Sequence, residues 1–229
     1  MGLLLAVAIL PGLYLLRMVY NLDKIEKEPL DLLRKLFFGG VIALFPVIIC
    51  ENLAGSITNL LFTPKTTLYN VVEFFLGVAL VEEGFKYYFL KKYTWNHPAF
   101  DYRFDAVVYA VCVSMGFAVI ENIFYVMEHG LEVGIMRAFT SIPGHGMFAI
   151  YMGLYYGLAK LYAKRGYLNR VQGELRKALW VPVLLHGFYD FCLADGAEMV
   201  GVFFVFISIM YYRTYSSLKQ FAREDERLV

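Results

Sequence analysis

What most constrains this chain is a succession of apolar stretches, each about long enough to cross a lipid bilayer, separated by short polar segments. The hydrocarbon core of a bilayer takes about 20 apolar residues in helical form. Stretches of that order lie near residues 2–20, 36–62, 69–90, 104–127, 138–162, 178–194 and 197–213. Inside lipid every backbone N–H and C=O must be paired within the protein, so helices are the expected element throughout. The chain is therefore expected to be all-α. It reads as a single membrane-embedded domain over residues 1–229, a polytopic bundle of about seven spans. The second stretch is over-long and holds Pro46, Glu51 and Asn52, which predicts a kink or an end running out beyond the lipid. The sixth is short, and only the turn Ala194-Asp195-Gly196-Ala197 divides it from the seventh. The N-terminal stretch has no basic segment before it, unlike a cleaved signal peptide, and is read as a retained first span.

The basic residues set an orientation. Segments 17–35, 91–103, 160–177 and 213–227 hold 18 of the 21 lysines and arginines, whereas the intervening loops contribute only Lys65 and Arg137. Excess basic charge marks the cytoplasmic side. An odd number of spans then puts the N-terminus outside and the C-terminus in the cytoplasm, as in a multi-pass cell-membrane protein. The connection 160–177 is expected to lie along the interface, and the tail after Arg213 to extend a surface helix.

Composition narrows the function. The chain is 59% hydrophobic with a net charge of +1, so it lacks the basic face a nucleic-acid partner requires. Cys50, Cys112 and Cys192 stand far apart in apolar stretches, which excludes a CxxC metal site and reads as buried packing. With no soluble domain of note, function is expected inside the membrane. The partners are then the lipid bilayer and a substrate reached from it.

An ionised side chain at the bilayer centre costs about 2.5–3.5 kcal/mol on insertion scales, so such residues are paired, neutralised or functional. Glu82, Glu83 and Lys86 sit close together; each glutamate shares a helix face with the lysine, while the two glutamates point about 100° apart. One is expected to face a water pocket while the other pairs with Lys86. Glu121 and Asn122 follow in the next stretch, with Asn122 equally suited to packing between helices. His145 lies after Pro143 and Gly144, which loosen the helix start. Ala149, Gly153 and Gly157 behind it form a packing stripe. His186 and Asp190 share one helix face, at a spacing that lets the acid orient the imidazole, share a metal with it or relay a proton. Counting about 1.5 Å of rise per residue puts all of these at overlapping depths. Four helices could thus build one polar pocket within residues 69–195, open toward the outer face. Glu51 and Glu73 are read as structural or as lying at wet span ends, and His97 and His129 as solvated loop residues.

Four motifs in order carry a resemblance: EExxK (Glu82, Glu83, Lys86), GFAxxEN (Gly116 to Asn122), PGHxxF (Pro143 to Phe148) and HGxYD (His186 to Asp190). The chain resembles the PrsW family of membrane-embedded proteases over roughly residues 70–195, and that family is distantly similar to the CAAX-processing and bacteriocin-immunity proteases. The resemblance implies hydrolysis of a peptide bond in a single-span membrane substrate. In bacterial members it implies site-1 cleavage of an anti-sigma factor. Catalytic roles fall on Glu82, Glu83, Glu121, His145, His186 and Asp190, with Lys86 and Asn122 supporting them.

Two mechanisms fit these residues. In one, Glu82 or Glu83 activates water while His145, His186 and Asp190 position it and stabilise the oxyanion, with no cofactor. In the other, His145 and His186 with Glu82, Glu83 or Asp190 ligate Zn²⁺, although no HExxH exists. The glutamate version is favoured. A proton-coupled transporter or channel would use the same buried groups as a relay, but the chain shows no internal repeat. A seven-span receptor is the other rival.

Overall fold

The computed structural model describes residues 1–228, and among these the chain is helical with no β-strand. Helices α1 (Gly2–Leu22), α2 (Leu30–Leu61), α5 (Asp105–His129) and α9 (Met199–Arg223) are long and apolar enough to cross a membrane. Between them lie α3 (Thr67–Val72), a π-helical segment Glu73–Ala79, α4 (Leu80–Thr94), α6 (Leu131–Phe139), α7 (Ser141–Lys164) and α8 (Leu168–Ala194). The α4, α7 and α8 helices carry most of the buried charge and are correspondingly less apolar.

Burial sorts the long helices into layers. Of the apolar window of α5, 78% is buried, against 17% for α1 and 22% for α9. An apolar helix buried all round is a central one, and α5 is the core of the bundle. Its neighbours approach closely because small residues line the crossings. A Cβ on Gly40 of α2 would lie 1.9 Å from the Val113 carbonyl oxygen, and one on Gly116 of α5 would lie 2.0 Å from that of Phe37. On the other side, Gly153 and Gly157 of α7 lie against the backbone of Val107 and Arg103, so the Ala149–Gly153–Gly157 stripe is a packing face.

The structure adds detail to several expectations. α2 continues as one helix of 32 residues with Pro46 inside it. The loop expected after α5 contains the short helix α6, entered through Gly130, whose φ of 84° suits glycine. Residues 160–177, expected to lie along the interface, are largely helical: α7 continues to Lys164, and α8 begins at Leu168. Val171, Leu175 and Ala178 recur at helical spacing and are buried in the core, which docks this segment as the opening turns of α8. The tail leaves its helix at Arg223 and folds back over the start of α5. There Arg103 N–H donates to the Glu226 carbonyl at 3.1 Å and Leu228 N–H to that of Asp101 at 2.7 Å.

Contacts gather the basic segments at one end of the bundle, here called the basal end. Tyr109 hydrogen-bonds Glu28 and the Ala99 carbonyl, Lys160 donates to the Trp95 carbonyl, and Arg103 and Arg165 both reach Glu226.

A candidate active site among four helices

The sequence of the third helical stretch starts with a side-chain cap: the Thr66 hydroxyl accepts from Tyr69 N–H at 3.2 Å. The π-helical turns that follow change the phase of the helix downstream, a distortion often found at functional sites. The ring of Phe75, in this segment, lies 2.7 Å from where a Cβ on Gly187 would be. Only glycine lets α8 come this near, and the approach brings His186 onto α4.

Lys86 organises what results. Its Nζ lies 2.8 Å from Glu82 Oε2, 2.8 Å from Glu83 Oε1 and 3.1 Å from His145 Nδ1. The expected division, one glutamate toward a water pocket and the other paired with Lys86, is changed in one respect: the flexible lysine stem reaches both. An ammonium only donates, so His145 Nδ1 accepts, leaving Nε2–H to point at Glu121 Oε2 3.1 Å away. His186 lies between two acids, with Nδ1 3.0 Å from Glu83 Oε1 and Nε2 3.3 Å from Asp190 Oδ2. Asp190 therefore backs the imidazole from the far side instead of joining the inner cluster.

The motif phenylalanines wall this cluster. Phe117 lies beneath Lys86, with Nζ 4.2 Å from its ring centre, and Phe148 stacks on His186 at 4.9 Å. Asn122 ties helices together, donating to the Ala8 carbonyl at 3.2 Å and accepting from Arg137 Nε at 2.9 Å.

The cluster borders a cavity of about 730 Å³. Glu82, Glu121, His145, His186 and Asp190 line it, whereas Glu83 does not and is wholly buried. Phe74, Val78, Phe203 and Phe204 form an apolar wall opposite. Three lining residues escaped the sequence reading. Arg137, on α6, donates to Glu121 Oε2 at 2.7 Å and packs on the Tyr125 ring. Its signal was its isolation among loops nearly free of basic residues. Glu51 also lines the cavity, with one buried carboxylate oxygen lacking a hydrogen-bond partner. His129 ends α5 at the cavity's edge, while His97 stays in a loop and accepts from Ala99 N–H. Glu73 lies beside Gly55 and Gly77 where α2 meets the π-helical segment, away from the cluster.

The donors suit a metal by type. Glu82, Glu83, His145 and His186 each bring one ligand atom within 4.8 Å of the others, and imidazoles with carboxylates form a zinc-like set. Yet the Lys86 ammonium contacts Glu82, Glu83 and His145 from the position an ion would take. Ion and ammonium exclude each other there, so in this arrangement the cluster does not fit a metal.

Comparison with known proteins agrees with the motif pattern. The model of the PrsW family intramembrane metalloproteases matches residues 28–213. Protease PrsW of Geobacillus kaustophilus is 33% identical over 83% of this chain and 79% of its own. Protease PrsW of Oceanobacillus iheyensis is 32% identical over 95% of both chains, and that of Bacillus subtilis 31% over 91% of both. No solved structure matches. With the family model spanning most of the chain and these relatives aligned along nearly all of it, this protein belongs to the PrsW family and is a membrane-embedded peptidase.

Proposed function

We propose that the chain hydrolyses a peptide bond of a membrane-anchored, single-span substrate in the cavity, with Glu82 as general base. One observation carries this reading: of the two glutamates held by Lys86, only Glu82 faces the cavity. His145 Nδ1 and His186 Nδ1 each lie 4.0 Å from Glu82 Oε2, and all three side chains line the cavity, from which water reaches the base. Glu82 takes a proton from water as its oxygen attacks the scissile carbonyl carbon. The carbon–nitrogen bond then breaks as His186, protonated between Glu83 and Asp190, gives its proton to the leaving amine, and the proton held by Glu82 passes to His186 to restore both groups. His145, bonded to both Lys86 and Glu121, holds these two charged groups in place beside the base. The guanidinium N–H groups of Arg137 not engaged by Glu121 or Asn122 bind the carbonyl oxygen of the substrate. The apolar wall suits the flank of an extended membrane segment.

The finer reading is a multi-pass cell-membrane protein of about seven spans, with the N-terminus outside and the C-terminus in the cytoplasm. The gathering of the basic segments at the basal end supports it. The substrate class that best suits the chain is a single-span anti-sigma factor cut at site 1. Reconstituted protein tests this. Wild type is expected to cut such a substrate, whereas Glu82→Gln, His145→Ala and His186→Ala insert normally and do not cut. Full cleavage by all three variants overturns the proposal.

A further inference from the structure

A second buried acidic cluster lies at the basal end, far along α5 from the cavity and independent of the protease reading. Asp23 and Glu28 come from the α1–α2 connection, and Asp105 is the first residue of α5. They are 2%, 5% and 1% exposed, and one carboxylate oxygen from each lies within 4.8 Å of the other two.

Neutral donors partly serve them. Tyr109 donates to Glu28, while Asp105 Oδ2 accepts from the N–H groups of Asp101 at 3.1 Å and Tyr102 at 2.7 Å. Asp23 Oδ2 is buried with no hydrogen-bond partner. Lys27, the nearest cation in sequence, donates to the backbone carbonyls of Tyr20 and Asp23. Among the described residues no lysine, arginine or histidine pairs with any of the three carboxylates. The neighbouring acids are engaged elsewhere, Asp101 near Arg227 and Asp225 on Phe104 N–H. Desolvation pushes the Asp23 carboxyl up to about 6 and that of Glu28 up to about 7.

Carboxyl groups crowded out of water take up either a proton or a counter-charge. Here, unlike at Lys86, no cation among the described residues is bonded to any of these carboxylates, Lys27 bonding Asp23 only from its backbone side, and Asp23 Oδ2 is left without a partner. We propose that Asp23, Glu28 and Asp105 bind a hard divalent cation, Mg²⁺ or Ca²⁺, which pins the α1–α2 connection to the start of α5. Both ions favour all-oxygen ligands of this kind.

The test is the thermal unfolding midpoint of the full-length protein in lipid nanodiscs, with chelator and then with Mg²⁺ or Ca²⁺ in excess. A cation at about a hundredfold above its dissociation constant is expected to raise the midpoint by roughly 5–10 °C. Asp23→Asn and Glu28→Gln remove the rise, and His186→Ala keeps it, which distinguishes this cluster from the one around Lys86. Should Asp23→Asn fail to fold, Glu28→Gln carries the comparison, because its amide oxygen still accepts from Tyr109. No response in wild type to either ion overturns the proposal, since the acids would then be sharing protons. A response that survives in Glu28→Gln overturns it equally.

Discussion

The two buried acid clusters along α5 meet the same electrostatic problem in different ways. Around the cavity, Glu82 and Glu83 are held by Lys86, Glu121 by Arg137, and Asp190 by His186. At the basal end, the hydrogen bonds to the side chains of Glu28 and Asp105 come from neutral donors, and Lys27 bonds backbone carbonyls instead of a carboxylate. The cavity cluster carries its own cations, so its charges hold position with no ion from outside, as proton transfer to a bound substrate requires. The basal cluster is equally buried, and the proposed cation would do there what Lys86 does around the cavity.

The largest effect separating the two should come from Glu82→Gln. Removing a general base lowers cleavage by about 10²–10⁴-fold, measured on reconstituted substrate, while Lys86 keeps its second partner, Glu83. Glu28→Gln, an equally conservative change in the basal cluster, leaves cleavage near wild type. Next comes Lys86→Met, which strips the cation from two buried carboxylates. Breaking a buried ion pair in this way costs about 3–5 kcal/mol, read as a lowered unfolding midpoint. At the basal end, where no cation is lost, Asp23→Asn in chelator should leave the midpoint equal or higher. Equal destabilisation by both changes would erase the contrast.

Asp190→Asn should follow. Residues that orient another group through a hydrogen bond typically matter about 10–100-fold, and the loss should appear in kcat more than in KM. The smallest change is expected from Glu51→Gln, whose carboxylate touches none of the cluster's side chains by hydrogen bond. A loss there as large as in Glu82→Gln would move the base to α2.

Much of this was legible in the sequence because ionisable groups in apolar stretches are costly and therefore conspicuous. Glu82, Glu83, Lys86, Glu121, His145, His186 and Asp190 stood out for that reason, and the structure brings all seven together. Arg137 did not stand out, because α6 is too short to be read as a cavity wall. Glu51 looked like a wet span end because α2 is longer than a bilayer needs. Asp23 and Glu28 fall between the first two apolar stretches and Asp105 at the very start of the fourth, so their positions in sequence do not link them. Only the return of the tail and the α1–α2 connection onto α5 buries them. The π-helical segment left no local signal, since it depends on how closely Gly187 lets α8 approach Phe75.

The most direct measurement is the cleavage rate of the reconstituted wild-type enzyme against its zinc content, before and after exhaustive chelation. If Lys86 supplies the cluster's cation and Glu82 the base, the metal-stripped enzyme keeps its full rate. A rate that falls in step with the zinc removed, and returns when zinc is added back, would contradict that account.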